Sequence, residues 1–311
     1  MTLRHDYKPH GVIPAVLLPF QEDFSIDEAS YRSHLRDVAG VAGITAITTN
    51  AHSTEVASCT FEEQRRVLAI THDEVGAKIP IVNGIYADGS FEAQRLARMA
   101  HDGGASALLV FPSAIFTLGQ RPEMVVEHFK RIAEVTDLPL IAFQYSLAGG
   151  QGYPLSTLLR LAQEVPTLAA IKDWSGTPPL VDQQIRALQA FHRPINVLST
   201  HSAWLFPSLV LGCDGLLSGS GSVIADLQAK LFQAVQNNDL AQAKRLHDRI
   251  TFTADVFYAA PFVDMHNRMK EALVMLGRLP RAVVRPPLMR ISEHERQCIR
   301  MALMNAGLLS K

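Results

Sequence analysis

The chain has few cysteines, no long apolar run and almost no net charge, and each of these features excludes a class of protein. Its three cysteines, Cys59, Cys213 and Cys298, are too far apart to suggest a disulfide framework or a cysteine-rich metal site. No apolar run approaches the ~20 residues of a membrane-spanning helix. A net charge of -1 provides no basic surface for nucleic acid or an anionic membrane. We therefore expect no nucleic acid and no membrane among its partners.

Several motifs of cofactor and metal sites are missing as well. No Gly-x-Gly-x-x-Gly follows the first apolar run, which argues against a dinucleotide-binding fold. The twelve histidines form neither a His-x-His pair at the end of the first strand nor a His-Glu-x-x-His, so a metal-dependent hydrolase is disfavoured. The first ten residues are polar and mixed in charge, unlike a signal peptide. With so few cysteines, a reducing cytoplasm is the expected location.

A short apolar run followed by a helix-period segment recurs about eight times along the chain. Continuous apolar runs of this kind are typical of strands buried on both faces of a parallel sheet. The predicted strands cover residues 11–20, 43–49, 80–86, 105–111, 138–145, 167–172, 195–199 and 212–217. This alternation predicts an α/β protein with a single (β/α)8 TIM barrel. A doubly wound open sheet is the alternative.

The helix-period segments lie between these strands, and further helices follow the last one. They cover residues 25–41, 60–75, 90–102, 121–136, 154–165, 178–191, 202–211 and 224–237. Ser25 and Glu28 have the spacing of a capping box, and Ser292 is predicted to cap the last helix. We predict that residues 1–237 form the barrel and that residues 238–311 form a C-terminal helical extension packed on it.

Lys172 stands at the end of the sixth predicted strand. The carboxyl ends of the strands of a parallel barrel meet at one mouth, where such barrels keep their chemistry. Lysine is almost never fully buried unless it is paired or functional. A desolvated ammonium loses its proton more readily, and the neutral amine can attack a carbonyl carbon to form a Schiff base. The alternative is a solvent-exposed lysine in the turn after the strand.

Other strand ends bring polar side chains to the same mouth. Tyr145 follows the fifth strand, and the second strand leads into His52 and Ser53. A phenol can relay protons, while hydroxyls and backbone N–H groups can hold a carboxylate. Each residue also has a structural interpretation: Tyr145 as a core tyrosine with a bonded hydroxyl, Ser53 as a helix cap, and His52 as a surface loop residue.

The order of these elements resembles the dihydrodipicolinate synthase and N-acetylneuraminate lyase family over nearly the whole chain. The family's lysine motif is matched by Ile-Lys-Asp-Trp-Ser-Gly at residues 171–176, and its tyrosine by Tyr145, which follows Asp-Leu-Pro at residues 137–139. The resemblance implies a lyase that joins Lys172 to pyruvate or another 2-oxo acid as a Schiff base, with Tyr145 as proton relay. It implies no metal or organic cofactor, because the imine is the electron sink, and it implies a homo-oligomer, a tetramer or a dimer.

The family's carboxylate-binding motif, Gly-Thr/Ser-Thr-Gly-Glu, falls on Ala-His-Ser-Thr-Glu at residues 51–55. Both glycines are replaced, but Ser53 and Thr54 are still expected to bind the carboxylate of the 2-oxo acid. The backbone carbonyl of Leu217 is expected to contribute to the same site. His52 stands where the family has the hydroxyl that relays protons to the tyrosine. Its imidazole is expected to take over this relay, because its pKa suits the role.

Further departures from the family concern the second half of the substrate. The arginine that binds the second carboxylate in dihydrodipicolinate synthases falls at Gly150, beside Gln151, and the tyrosine from the neighbouring subunit falls near Ser113. The acidic residues of sialic acid lyases are replaced by Thr200 and His201. Loss of a buried bidentate arginine costs roughly 2–5 kcal/mol of recognition. We predict that the protein is neither of these enzymes, with Gln151 and His201 lining its substrate site.

Trp174 occupies a position that is usually held by a small residue. If it faces the pocket, it favours a compact, partly apolar or aromatic second half of the substrate over an extended polyol. If it packs under the next helix, it has no bearing on the substrate. We expect an aldolase acting on a 2-oxo acid and an aldehyde. The alternatives are a dehydratase of a 2-keto-3-deoxy sugar acid and a non-catalytic barrel that binds a 2-oxo acid as a sensor.

Overall fold

The computed structural model describes residues 7–200 and 202–310 of the chain. Over these residues, eight short strands alternate with α-helices. The strands are β1 (Gly11–Pro14), β2 (Ile47–Thr49), β3 (Ile81–Ile85), β4 (Ala107–Val110), β5 (Leu140–Gln144), β6 (Leu168–Asp173), β7 (Asn196–Ser199) and β8 (Gly215–Ser218). Each overlaps a predicted apolar run, and only β6 and β8 extend beyond theirs, by one residue at the carboxyl end.

The eight strands form one parallel sheet that closes on itself. Their order is β1-β8-β7-β6-β5-β4-β3-β2, and every neighbouring pair is parallel. Single parallel bridges, Val12 with Ile44 and Ala15 with Thr48, join β1 to the chain around β2. The prediction of a (β/α)8 TIM barrel is therefore confirmed, and the open-sheet alternative is wrong.

A helix follows each strand, and three more helices complete the described chain. The helices are α1 (Glu28–Ala39), α2 (Phe61–Val75), α3 (Ser90–Asp102), α4 (Pro122–Ala133), α5 (Leu155–Glu164), α6 (Pro178–Gln189), α7 (Leu205–Val210), α8 (Gly221–Gln236), α9 (Leu240–Phe257), α10 (Met265–Met275) and α11 (Glu293–Asn305). Helices α9 to α11 form the C-terminal helical extension. The division into two parts at residue 237 stays a prediction. No helix in the described ranges combines the length and the apolar character needed to cross a membrane.

Two helix starts differ in their details from the sequence-based expectation. The predicted capping box of α1 is wrong: Asp27 caps the helix by accepting from the Ser30 N–H, while Ser25 is bonded to Asp23. At α11 the predicted cap is confirmed, since the Ser292 hydroxyl accepts from the Glu295 N–H at 3.2 Å. Local hydrogen bonding decides between neighbouring cap candidates, and spacing alone cannot resolve that competition.

Two apolar layers hold the barrel together. Inside the strands, a compact group that includes Ile13, Leu109 and Leu217 fills the barrel. Outside, the helices pack on the strands through a much larger core, to which α9 to α11 also contribute residues such as Phe257 and Leu273. Because side chains fill the barrel interior, a substrate can reach only the mouth, as is typical of this fold.

Candidate active site

Lys172 lies near the carboxyl end of β6 and reaches into the mouth of the barrel. Only 6% of the residue is exposed, and its Nζ lies 3.9 Å from the centre of the Phe143 ring. Burial lowers the pKa of the Lys172 ammonium to about 7, and no carboxylate among the described residues opposes this shift. Near neutral pH, therefore, a large fraction of the molecules carry a neutral amine at this position. The solvent-exposed alternative is not observed.

The loop after β2 forms a tight wall of the pocket. Asn50 and Glu55 adopt left-handed backbone conformations, with φ of 50° and 52°. Ala51, at the first replaced glycine, is extended with φ of -114°, and Thr54 lies in a 3-10 turn. Neither residue needs the left-handed conformation that favours glycine. The loss of the two glycines therefore causes no backbone strain in this loop.

The two hydroxyl residues of this loop have different surroundings. Ser53 lines the pocket, and its buried Oγ has no hydrogen-bond partner in the described part of the chain. Because a buried polar atom without a partner costs free energy, the free Oγ of Ser53 indicates a place for a polar ligand atom. The Thr54 hydroxyl, in contrast, donates to the Ala51 carbonyl at 2.8 Å. Thr54 as a substrate-binding residue stays a prediction, and its hydroxyl already has a partner inside the protein.

Tyr145 does not itself line the pocket, but it contacts His52, which does. The hydroxyl of Tyr145 lies 3.1 Å from Nε2 of His52, within hydrogen-bonding distance. Burial raises the pKa of Tyr145, so its phenol keeps its proton. Burial, together with the nearby Lys172 charge, lowers the pKa of His52 to about 3, so the imidazole is neutral. The expectation that its ordinary pKa suits it to the relay is therefore wrong. A neutral phenol and a neutral imidazole in hydrogen-bonding contact can transfer a proton between two substrate atoms, one bound next to each ring.

Glu55 anchors this loop to the C-terminal extension. Its Oε1 accepts from the Lys270 ammonium at 2.5 Å, and its Oε2 accepts from the Arg285 backbone N–H at 2.9 Å. The side chains of Glu55 and Lys270 are only 4% and 0% exposed. With both oxygens engaged, the carboxylate is a structural acceptor.

Aromatic rings surround the amine on one side. Trp174 stacks beside Phe143 at 6.3 Å between ring centres and packs edge-on against Tyr145 at 5.7 Å and Phe262 at 6.4 Å. Trp174 lines the pocket of Lys172, so it faces the mouth and does not pack under the next helix. It also lines a second, adjoining cavity together with Tyr258. The two cavities hold about 390 and 540 Å³ of free space, open mouths included.

Besides Thr54, two of the predicted substrate-binding residues do not line either cavity, and the position of a third is not described. The Gln151 amide donates to the Ser113 carbonyl at 3.4 Å, and Gln151 is not among the residues lining either cavity. The Leu217 side chain packs inside the barrel, below the mouth. His201 lies outside the described residues. The predicted roles of all three in substrate binding stay predictions.

Several other lining residues were not anticipated, and three of them come from the C-terminal extension. Tyr258 follows α9, and Met265 and His266 begin α10. One signal in the sequence could have indicated them. Residues 266–271 include five polar side chains in six positions, and a helix cannot turn that many toward water if it also packs on a barrel. Some of these five polar side chains therefore had to be buried and bonded to other protein groups.

The chain also resembles known proteins over nearly its whole length. The sequence profile of the Dihydrodipicolinate synthetase family matches residues 8–306. An uncharacterized DapA-like lyase of Halobacterium salinarum is 29% identical over 302 residues, covering 96% of this chain and 95% of the relative. The 4-hydroxy-tetrahydrodipicolinate synthase of Methanopyrus kandleri is 28% identical over 307 residues, covering 97% and 98%.

Solved structures share this fold. YagE, a prophage protein of the dihydrodipicolinic acid synthase family from E. coli K12 solved in complex with pyruvate, superimposes with a TM-score of 0.89 at 24% identity, covering 96% of this chain and 99% of its own. The dihydrodipicolinate synthase of Acinetobacter baumannii, also solved with pyruvate, gives 0.87 at 26% identity, with the same two coverages.

Proposed function

The chain belongs to the dihydrodipicolinate synthetase family, and from that premise we propose that it is a lyase in which Lys172 forms a Schiff base with pyruvate or another 2-oxo acid. The enzyme then makes or breaks the carbon–carbon bond to an aldehyde. The observation that carries this proposal is the buried Lys172 amine, whose pKa is lowered to about 7 in a pocket at the barrel mouth. A neutral amine is the reactive form toward a carbonyl carbon.

The neighbouring side chains have the properties that such a reaction needs. The free hydroxyl of Ser53 holds the carboxylate of the 2-oxo acid, beside the amine. Tyr145 and His52 carry protons to and from the imine and the enamine, since their polar atoms lie 3.1 Å apart. The Thr54 hydroxyl stabilises the loop through its hydrogen bond to the Ala51 carbonyl. Thr54 therefore contacts the substrate through its backbone.

The lining of the pocket argues against two known specificities of the family. Among the described residues that line it, none is an arginine, an aspartate or a glutamate. A second carboxylate would therefore have no arginine partner in this pocket. A polyol would find no acidic acceptor in it either, although Asp255 lines the second cavity. We propose that the protein is neither a dihydrodipicolinate synthase nor a sialic acid lyase. Trp174, Tyr258 and Phe262 around the second cavity favour a compact, apolar or aromatic aldehyde.

The geometry also bears on the two alternatives. The sensor hypothesis depended on the two lost glycines, and the loop tolerates their loss without strain. A sensor would also tolerate a Tyr145 turned away from the pocket; Tyr145 does not line the pocket, but its hydroxyl meets the pocket-lining His52. Both points favour an enzyme. A dehydratase of a 2-keto-3-deoxy sugar acid would use the same imine, and it remains the second candidate.

A homo-oligomer, a dimer or a tetramer, is part of this proposal. Leu118 is 92% exposed, and Ile115 and Leu147 nearby are also exposed. Their two loops are adjacent, because the Gln120 amide donates to the Gly150 carbonyl at 2.7 Å. Exposed apolar side chains grouped in this way are typical of a contact surface. Light scattering of the wild type and of Leu118→Asp tests this point, since a monomeric wild type contradicts it.

Borohydride trapping tests the central proposal. The protein is incubated with pyruvate, reduced, and analysed by intact mass and peptide mapping. We expect one stable adduct, located on Lys172 and lost in Lys172→Met. Lys270 is an internal control, because it is equally buried but forms an ion pair with Glu55, and it should carry no adduct. Absence of an adduct with pyruvate and with a series of larger 2-oxo acids would contradict the lyase.

A further inference from the structure

His266 is a second imidazole in the pocket of Lys172, and it comes from the C-terminal extension. It lies in the first turn of α10, is 8% exposed, and lines the same pocket as His52. No hydrogen bond to its ring is found within the described residues. The polar side chains that follow it on α10, in contrast, are engaged: Asn267 with the Met289 carbonyl, Arg268 with Glu295, Lys270 with Glu55, and Glu271 with Arg296. These bonds fix the helix and leave one polar side chain free, directed at the pocket.

The opposite wall leaves room for this ring. A Cβ atom added to Gly219 would lie 3.2 Å from Nε2 of His266 and 3.7 Å from its Cδ2, and no other atom would come within 4 Å. A residue with a side chain at this position would therefore press on the imidazole and on nothing else. Burial, followed by the nearby His52, Lys172 and Lys270, also lowers the pKa of His266 well below its ordinary value, so the ring need not lose a proton before it accepts one.

Aldol cleavage needs a base at one further atom of the substrate. The 2-oxo acid joined to Lys172 carries a hydroxyl on C4, and this hydroxyl must lose its proton as the C3–C4 bond breaks. The described residues that line the Lys172 pocket provide no carboxylate for this purpose, and Asp255 lines only the adjoining cavity. Nε2 of His52 already contacts Tyr145, so among the described lining residues His266 is the imidazole that remains for the substrate.

We propose that His266 is a catalytic residue that removes the C4 hydroxyl proton during cleavage and returns it during condensation. The inference rests on the proposed function above. Nε2 or Nδ1 of neutral His266 takes the proton, and the C4–O bond becomes the carbonyl of the departing aldehyde. The electron pair of the C3–C4 bond forms the C2=C3 bond of the enamine and neutralises the iminium nitrogen on Lys172. Protonation at C3 and addition of water then release the 2-oxo acid and the free amine.

Two synthetic substrates test this role by their mass. The protein is mixed in excess with 4-hydroxy-2-oxopentanoate or with 4-hydroxy-4-phenyl-2-oxobutanoate and is reduced with borohydride at increasing times. An uncleaved adduct retains the mass of the whole acid, whereas a cleaved one has the mass left by pyruvate. In the wild type we expect the uncleaved adduct to convert to the pyruvate adduct. In His266→Gln, which keeps a polar group but no base, conversion slows on the order of 10²–10⁴-fold.

Two further variants serve as a check and a control. Gly219→Ala should slow the same conversion, because the added methyl group would contact His266 and no other described residue beyond its chain neighbours. This variant distinguishes the loss of the base from a loss of folding. His128→Gln is the matched control, since His128 is also a buried histidine with its pKa lowered by burial to about 4, but it bonds to Ser90 away from the pocket. It should convert both acids at the wild-type rate.

The outcomes distinguish this proposal from the one on which it rests. If pyruvate forms no adduct on Lys172, the lyase itself is wrong. If Lys172 traps pyruvate normally but His266→Gln cleaves at the wild-type rate, the role of His266 alone is overturned. The role is also overturned if the wild type traps both hydroxy acids and cleaves neither.

Discussion

The Tyr145 hydroxyl lies 3.1 Å from Nε2 of His52, so an imidazole stands where the family resemblance places a hydroxyl. The ring is held by its neighbours, because its centre lies 4.8 Å from that of Phe111 and 6.1 Å from that of Phe143. A ring packed in this way presents Nε2 to the tyrosine at low entropic cost. The contact therefore has the geometry of a proton relay in which an imidazole, instead of a hydroxyl, is the partner of the tyrosine.

Removal of this imidazole should slow proton transfer without preventing imine formation. In His52→Leu we expect exchange of the pyruvate methyl protons in D₂O to slow on the order of 10²-fold or more, measured by proton NMR. His52→Ser, which restores a hydroxyl, should recover part of the rate. Borohydride trapping on Lys172 serves as the control and should persist in both variants. Exchange at the wild-type rate in His52→Leu would contradict the relay.

Imine formation should depend on pH through Lys172. The protonated amine cannot attack a carbonyl, and burial lowers the pKa of this group to about 7. The trapping rate with pyruvate should therefore rise as the pH increases from 5 to 8, with a midpoint near 7, and level off above it. An unperturbed lysine would continue to gain reactivity up to about pH 10.4. A rate that keeps rising beyond pH 9 would show that the amine is not desolvated in solution.

The ion pair between Glu55 and Lys270 should be costly to break from one side. Glu55→Gln leaves the buried ammonium without a carboxylate, and we expect a loss of about 3–5 kcal/mol in the free energy of unfolding, measured by urea denaturation. The double variant Glu55→Gln/Lys270→Met should recover much of this loss. The exposed pair Lys244 and Asp248 is the control, since Lys244→Met should change stability by less than about 1 kcal/mol. A small effect of Glu55→Gln would contradict the burial of the pair.

Trp174 should report on the occupancy of the pocket. It is one of two tryptophans in the chain and lines the pocket of Lys172, whereas Trp204 lines a separate cavity beside Asp173. Addition of pyruvate should therefore change the tryptophan fluorescence of the wild type and of Trp204→Phe. The change should disappear in Trp174→Phe and in Lys172→Met. A signal that survives in Trp174→Phe would place the bound acid elsewhere.

The fold could be predicted from the sequence because its signals are local. Each strand is an apolar run of a few residues followed by a helix-period segment, and eight such units leave few architectures to choose from. Lys172 and Tyr145 could be proposed because strand ends in a parallel barrel meet at one mouth, whatever the details of packing. These expectations needed no knowledge of distant contacts.

The remainder of the site depends on contacts between distant parts of the chain. His266 and Tyr258 reach the mouth because α9 and α10 dock there, and no local pattern shows which face of these helices turns inward. Gln151 was predicted at the pocket, but its amide bonds to Ser113, a contact fixed by the shape of two loops. Trp174 could be placed on the strand face of Lys172, yet its orientation depended on the rings around it.

The contribution of the C-terminal helices to the pocket has a consequence for protein synthesis. Residues 258–266 complete the surroundings of Lys172, and they leave the ribosome long after the barrel strands. Until they dock, Lys172 stays in contact with water and keeps the proton of an ordinary lysine. If Lys172 is the proposed nucleophile, an unfinished chain should therefore react more slowly with free 2-oxo acids than the folded protein does.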